Sequence, residues 1–87
     1  MSPYISAVAR KIWDGRLPQM LGPGELAYVI TKACLHYLED CDPGYSAYAQ
    51  VVGVLETVKL ELYRRQIGPY EDRKCEENGD VFPASPS

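Results

Sequence analysis

The sequence is short of the residues that build metal centres and disulfide scaffolds. Its 87 residues include one His and three Cys, and no two Cys form a CxxC pair. An odd number of cysteines without paired spacing argues against a secreted disulfide scaffold and favours reduced thiols. The spacing of Cys34 and His36 is not that of a zinc finger, so we expect no metal. P-loop, GxGxxG and HExxH motifs are missing as well, and we expect no cofactor.

Long apolar runs and an excess of basic charge are also missing. No stretch of about 18 apolar residues occurs, which excludes a transmembrane helix. The start, MSPYISAVARKIW, lacks the basic-then-apolar order of a signal peptide. Nine basic residues stand against twelve acidic ones, for a net charge of -3, which disfavours nucleic-acid binding through a basic stripe. We therefore expect a cytoplasmic protein without membrane or nucleic-acid partners.

The aromatic residues that are present are mostly tyrosines. The chain has seven Tyr but one Phe and one Trp. A tyrosine ring packs while its hydroxyl still needs a hydrogen bond, which suits half-buried surfaces and interfaces. A chain near this length buries only about 60 to 65% of its unfolded surface, so a lone monomer is marginal. Together these features predict a homo-oligomer.

Hydrophobic periodicity predicts an all-α fold built on a small helical hairpin. The first helix of the hairpin is expected from about Glu25 to Leu38, because Pro23 and Gly24 mark its start. The second is expected from Tyr45 or Ser46 to Gln66. Its apolar face consists of Tyr48, Val51, Val52, Leu55, Val58 and Leu62. Gly53 inside this helix is either a point of close helix approach or a tolerated weak spot.

Gly68-Pro69 is expected to end or kink the second helix and to start a short third helix. That helix is predicted to run to about Glu77. Asn78-Gly79 is expected to end it, because these residues readily adopt the left-handed backbone conformation. The N-terminal segment is either a short helix capped by Ser2 or an extended arm. We expect one domain over residues 1–82, with a C-terminal arm and a flexible tail at residues 83–87.

Residues 56–82 are dense in functional groups around the Gly-Pro joint. They predict either a polar pocket at an oligomer seam or an ordinary solvated helix face. Arg64-Arg65 and Arg73-Lys74 are two basic pairs that would hold a phosphate or carboxylate if the joint brings them together. Acids at the start of the third helix oppose an anion, and pairing of the bases with Glu61 and Glu77 is the simpler alternative.

The acidic residues also allow a metal-dependent alternative. Glu77 and Asp80 have ExxD spacing, which resembles the acidic motif of all-helical nucleotide pyrophosphohydrolases over four residues. Those enzymes carry the motif inside a long helix and pair it with ExxE on the preceding helix. Glu56 and Glu61 are five residues apart and do not share a helical face well. No Ser, Cys or His has the surroundings of a nucleophile or a general base, so we expect a protein that is not an enzyme.

Three stretches resemble a known family. GELAYVIT at 24–31, VVGVLETVKLELYRR at 51–65 and PYEDRKCEENGDVF at 69–82, with Tyr4-Ile5 before them, are similar to short, largely uncharacterised proteins of phages and bacteria. That family carries GELNY-IT, GVLE-KLE-YRR and PYE-K-ENGDVY motifs. Ala27 replaces its Asn and Phe82 its Tyr, and both changes remove a polar group. The resemblance implies a phage-encoded protein in the host cytoplasm and implies no particular activity.

The function predicted from these features is that of a phage-type binding protein without catalysis. Its oligomer seam would hold an anionic small molecule, most plausibly a nucleotide, and one use would be to sequester a host immune signal. The expected ligand-binding residues are Tyr63, Arg64, Arg65, Tyr70, Glu71, Arg73, Lys74 and Asn78. The alternatives are an inhibitor or accessory subunit that binds a host protein through Tyr45, Tyr48 and the C-terminal arm, and a Mg-dependent pyrophosphohydrolase.

Overall fold

The computed structural model describes residues 4–42 and 44–83. All of its regular secondary structure is helical, so the predicted all-α class is confirmed. The helices in chain order are α1 (Ala7–Asp14), α2 (Pro23–Glu39), α3 (Tyr45–Leu62), a π-helical turn (Tyr63–Ile67) and α4 (Gly68–Asn78). The chain divides into two compact units, Met1–Tyr37 and Leu38–Ser87, and the boundary falls near the end of α2.

In the first unit, α1 begins four residues later than a Ser2 cap would place it. Ser6 is the N-cap, and its hydroxyl oxygen accepts a hydrogen bond from the Ala9 amide at 3.2 Å. This satisfies one of the amide groups that the first helical turn leaves without a backbone partner. Tyr4 and Ile5 precede the helix, and Tyr4 has a positive φ of 72°. Ser2 and Pro3 lie outside the described residues, but a helix that includes Ile5 is excluded.

The predicted helix over 25–38 is confirmed and is slightly longer than expected. It includes Pro23, whose fixed φ suits a first helical position. Ahead of the helix, the Leu21 amide donates to the Glu25 carboxylate at 3.2 Å. An acid in the first turn of a helix also meets the positive end of the helix dipole. Local chemistry therefore accounts for where α2 begins.

The second unit contains helical backbone from Tyr45 through Gly68-Pro69 to Asn78, with φ and ψ in the right-handed region at both Ile67 and Gly68. A third helical element begins at Gly68, as predicted. Of the two alternatives for Gly68-Pro69, the backbone excludes an end of the helical run. The joint is marked instead by the π-helical turn, in which the Gly68 amide donates to the Tyr63 carbonyl five residues earlier.

The π-turn explains how a helix continues past a proline. Pro69 has no amide hydrogen, and in a regular α-helix its ring would clash with the carbonyl four residues earlier. A wider turn with bonds from residue i to i+5 relieves that contact because it moves the carbonyl out of register. A Cβ at Gly68 would stand 3.2 Å from the Tyr63 carbonyl oxygen, which is tight, so glycine suits this position.

The predicted stop after α4 is confirmed. Gly79 has φ of 85°, a value that glycine adopts without steric cost, and its amide donates to the Cys75 carbonyl at 2.8 Å. Beyond it, the Phe82 amide donates to the Asp80 carboxylate at 3.0 Å and forms a short turn. Val81 is 92% exposed, so this segment does not pack back on its own unit.

Burial is slight across the described residues. Ala47 in α3 is the one residue among them that is buried, and many large apolar side chains are half-exposed or more. A helix gains most of its stability in a protein from packing an apolar face.

The pairing of α2 with α3 as a hairpin, and the single domain over 1–82, stay predictions. All but the first residue of the predicted tail at 83–87 lies outside the described part of the chain.

Candidate functional site

The candidate site lies on the C-terminal half of the long helix, around the π-turn. The Tyr63 hydroxyl donates a hydrogen bond to the Glu71 carboxylate at 2.5 Å. These residues are eight positions apart. In a regular α-helix that interval leaves them about 80° out of phase. The π-turn takes in one extra residue, which reduces the angle between Tyr63 and Glu71 around the helix axis to about 20°. The π-turn thus places the phenol and the carboxylate on the same side of the helix.

The hydrogen bond between these two side chains has an electrostatic consequence. It raises the pKa of Tyr63 above its ordinary value, first because Glu71 accepts the phenolic hydrogen bond and second because its negative charge disfavours a phenolate. Tyr63 is half-exposed, so its ring remains accessible to a ligand. The pair therefore offers a neutral phenol and an aromatic face.

Arg64 and Lys74 are occupied by neighbouring carboxylates. Arg64 pairs with Glu61 at 2.8 Å, and Lys74 pairs with Glu77 at 3.4 Å, each at an interval of three residues. A third pair of the same kind joins Lys59 to Glu56 at 3.1 Å. The simpler alternative, pairing of the bases within the helix, is therefore confirmed for Arg64 and Lys74. Exposed pairs of this kind stabilise a helix by about 0.2–0.5 kcal/mol.

Arg65 and Arg73 are the basic side chains at the joint that no carboxylate neutralises within residues 4–42 and 44–83. Arg73 instead lies over the ring of Tyr70, with 6.0 Å from the guanidinium carbon to the ring centroid. Arg65 lies inside the π-turn and Arg73 follows it by eight residues, so the wider turn removes part of the 80° offset and leaves their stems about 30–40° apart around the helix. Their Cα atoms are separated by at most about 12 Å along the axis.

The eight predicted site residues therefore occupy more than one side of the helix. Tyr63 and Glu71 share one side, and Arg65 and Arg73 share another, since neighbours two positions apart point in nearly opposite directions. Tyr70 contacts cations at two positions, because the Lys74 ammonium also lies 5.7 Å from its ring centroid. Asn78 is the last residue of α4. One chain alone does not gather all eight into a single recess.

The two acids of the predicted ExxD motif do not lie within one helix. Glu77 lies in α4, whereas Asp80 follows the helix end at Gly79, so their spacing does not place both on one helical face. No group of three or more His, Cys, Asp or Glu residues that could hold a metal ion occurs among the described residues. Asp80 instead stands near Cys75, whose pKa is raised by burial first and by this carboxylate second.

Reasoning from the sequence missed the Tyr63–Glu71 hydrogen bond and the difference between Arg64 and Arg65. The difference between Arg64 and Arg65 was open to prediction, because Glu61 precedes Arg64 by three residues and Arg65 by four. A single carboxylate forms a close ion pair with only one of these two arginines. The signal for the first was hidden, since an eight-residue interval matches no helical repeat until a π-turn intervenes.

These features define a small all-α protein whose accessible charged groups cluster beside a π-turn. A family model described as a domain of unknown function, DUF6899, matches residues 1–81. The chain belongs to the DUF6899 family. No curated protein and no solved structure matches the chain. Across the described residues, none of the helices combines the length and the hydropathy needed to cross a bilayer.

Proposed function

We propose that this protein binds an anionic small molecule, with a nucleotide as the most suitable ligand, and that Arg65 and Arg73 provide the principal contacts. The observation that supports the proposal is that, among the residues the structure describes, neither guanidinium group has a carboxylate partner, and both lie on one side of the helix. Guanidinium groups bind phosphate oxygens in pairs of parallel hydrogen bonds. Tyr70, which already lies against Arg73, supplies a ring on which a base can stack.

The spacing of the two arginines favours a ligand with more than one anionic group. About 12 Å along the helix axis separates their Cα atoms at most. Two long side chains that leave from the same side of the helix reach both ends of a di- or triphosphate, or two phosphates of a cyclic dinucleotide. We propose that Tyr63, Glu71 and Asn78 contribute from a second subunit at an oligomer seam, whereas Arg64 and Lys74 stay engaged by Glu61 and Glu77. We also propose that a phage-encoded protein of this kind sequesters a host nucleotide signal.

The decisive experiment measures nucleotide binding by calorimetry with ATP, AMP and a cyclic dinucleotide as separate probes. Loss of one charge-assisted phosphate contact costs about 1.5–3 kcal/mol, so Arg65→Ala and Arg73→Ala should each weaken binding roughly tenfold to a hundredfold. Arg64→Ala and Lys74→Ala are matched controls, because Glu61 and Glu77 already engage those bases. Both controls should retain binding within about threefold, well below the loss at the unpaired arginines.

Two results would contradict the proposal. One is a wild-type protein that binds none of the three probes and releases no small molecule to mass spectrometry after heating. The other is an equal loss of binding in all four variants, which would indicate a diffuse attraction of charge and not a site. Binding should also weaken as salt rises, since phosphate contacts are screened.

Inhibition of a host protein is a second candidate, which the surface near the start of α3 favours. Tyr45, Tyr48, Ala49, Val52, Gly53 and Glu56 line a shallow open groove there. Tyrosine rings beside a groove are frequent anchors of protein interfaces. Capture of a stoichiometric host protein that Tyr48→Ala abolishes, together with no bound nucleotide, would favour this function over the first.

A further inference from the structure

The π-turn joins α3 to α4 with fewer backbone hydrogen bonds than a continuous α-helix has. Pro69 has no amide hydrogen, so one bond of the helical ladder is missing directly after the turn. Gly68, the residue before it, has more conformational freedom than any residue with a side chain. Backbone bonds therefore hold the rotation of α4 about the helix axis less firmly at this joint than they hold successive turns within α3.

One side-chain hydrogen bond bridges the joint. Tyr63 is the first residue of the π-turn, and its hydroxyl donates to Glu71, which lies in α4. The ion pair of Arg64 lies entirely before the joint, and that of Lys74 lies entirely after it. Within residues 44–83, the Tyr63–Glu71 bond is thus the side-chain hydrogen bond that fixes α4 relative to the residues before Gly68.

The two arginines of the proposed anion site span the same joint. Arg65 lies in the π-turn and Arg73 in α4, so a rotation of α4 changes the angle between their side chains. A regular helix would set Arg73 about 80° from Arg65, and the π-turn reduces this angle to about 30–40°. At the outer radius of a helix, about 5–6 Å, the difference displaces a side chain by about 4 Å. That displacement exceeds the length of a hydrogen bond.

The Tyr63–Glu71 bond lies on a different side of the helix from the two arginines. Within one chain, and apart from the charge of Glu71, it can therefore influence Arg65 and Arg73 only through the rotation of α4. A ligand that one arginine holds does not depend on the angle between them. A ligand whose linked phosphates engage both arginines does, because the two guanidinium groups must already face the same side to bind it without loss.

We infer that the Tyr63–Glu71 hydrogen bond determines the specificity of the anion site, because it holds Arg65 and Arg73 in an alignment that favours linked phosphates over a single phosphate. Tyr63 and Glu71 are positioning residues in this role. The inference rests on the proposed function and deepens it, since it names oligophosphates, free or within a nucleotide, as the ligand class.

The test measures binding of tripolyphosphate and of orthophosphate to the full chain by calorimetry. The wild type should bind tripolyphosphate at least about tenfold more tightly, because a second arginine adds a charge-assisted contact. Tyr63→Phe and Glu71→Ala should each reduce that ratio by about threefold to tenfold, since one exposed hydrogen bond can bias the joint by no more than its own free energy. Orthophosphate binding should stay within about twofold.

Two variants serve as matched controls. Glu71→Gln keeps a side-chain oxygen that accepts the Tyr63 hydrogen bond, so it should retain most of the wild-type ratio. Glu76→Ala removes a different exposed carboxylate of α4 and should leave the ratio within about twofold. Together they separate the loss of the bond from the loss of one negative charge near the site.

Combined variants distinguish alignment from direct contact with the ligand. Tyr63→Phe with Glu71→Ala should cost no more than either change alone, because both remove the same bond. In an Arg73→Ala background, Tyr63→Phe should have no further effect on the ratio, since no second arginine is left to align. Separate contacts from a second subunit would instead give additive losses and would weaken orthophosphate as well.

Hydrogen exchange of the unliganded protein, followed by NMR, tests the joint itself. The amides of Gly68 and Tyr70 should exchange about threefold to tenfold faster in Tyr63→Phe than in the wild type, while amides of residues 50–58 stay unchanged. Equal exchange in both proteins would mean that the bond does not restrain the joint, and would overturn the inference without any ligand.

The binding results separate failure of the inference from failure of the proposed function. A wild type that binds neither anion would refute both. A wild type that binds orthophosphate as tightly as tripolyphosphate would refute the inference and leave an anion site standing. An unchanged ratio in both Tyr63→Phe and Glu71→Ala, each shown to be helical by circular dichroism, would mean that the arginines are aligned without the bond and would also overturn the inference.

Discussion

Two glycines in the same long helix should respond differently to alanine, because a Cβ at Gly68 is crowded by the Tyr63 carbonyl oxygen. Gly53 lies in the middle of α3, and a Cβ built there meets no atom within 4 Å outside the neighbouring turns of its own helix backbone, which every helical alanine contacts. Alanine is favoured over glycine in a helix interior by about 0.8–1 kcal/mol. Gly53→Ala should therefore stabilise the protein by about that amount. For a domain of this size 1 kcal/mol corresponds to a rise in Tm of about 4–8 °C.

At Gly68 the same substitution meets an obstacle. The new Cβ would stand 3.2 Å from the Tyr63 carbonyl oxygen, which already accepts the Gly68 amide hydrogen bond and so has little freedom to retreat. Crowding should cancel the gain in helix propensity, so Gly68→Ala should leave Tm unchanged or lower it. The two variants should differ by about 1 kcal/mol or more.

The assay is thermal unfolding followed by circular dichroism, with all proteins at one concentration because association shifts Tm. Equal stabilisation by both alanines would refute the crowding at Gly68, since the Tyr63 carbonyl would then make room for a Cβ without cost. A lower Tm for Gly53→Ala would instead reveal a helix packed closely against Gly53.

Two further predictions concern the end of α4 and the Tyr63–Glu71 pair. Gly79→Ala should lower the free energy of unfolding by about 1–3 kcal/mol, because a side chain strains a φ of 85°; urea unfolding checks this, and an unchanged midpoint would contradict it. Tyr63 should ionise above the usual tyrosine pKa of about 10, and Glu71→Gln should lower its pKa. The Tyr63–Glu71 hydrogen bond raises the pKa of Tyr63 in the folded protein above its value in the unfolded chain. The bond therefore stabilises the fold fully at a pH below the unfolded-state pKa, and this stabilisation is lost as the pH rises through the folded-state pKa. The pKa of Tyr63 is measured by ultraviolet titration of the wild type minus that of Tyr63→Phe. A Tyr63 pKa equal to that of the other tyrosines would refute the prediction.

The site combines groups whose roles differ although their residue types are alike. Of the adjacent arginines at the joint, Arg64 is engaged by Glu61 and Arg65 is not. Of the adjacent bases in α4, Lys74 reaches Glu77 while Arg73 contacts a ring. Within the described part of the chain, Arg65 and Arg73 are therefore guanidinium groups at this joint that hold no ion pair.

Local sequence patterns determined the helical class, the position of α2, the end of α4 at Gly79 and the ion pairs at intervals of three. Each of these depends on residues within one or two turns, where spacing and capping chemistry are sufficient. They also indicated that something unusual happens at Gly68-Pro69, but a proline after a glycine is compatible both with a helix end and with a π-turn.

Only the three-dimensional structure decided between those two possibilities, and the site depends on the decision. The helix continues because the wider turn removes the proline clash while the remaining backbone hydrogen bonds are kept. That choice shifts the phase of every residue after it, which brings Tyr63 to Glu71 and Arg65 to the side of Arg73. Periodicity alone cannot show this, since it assumes a constant number of residues per turn.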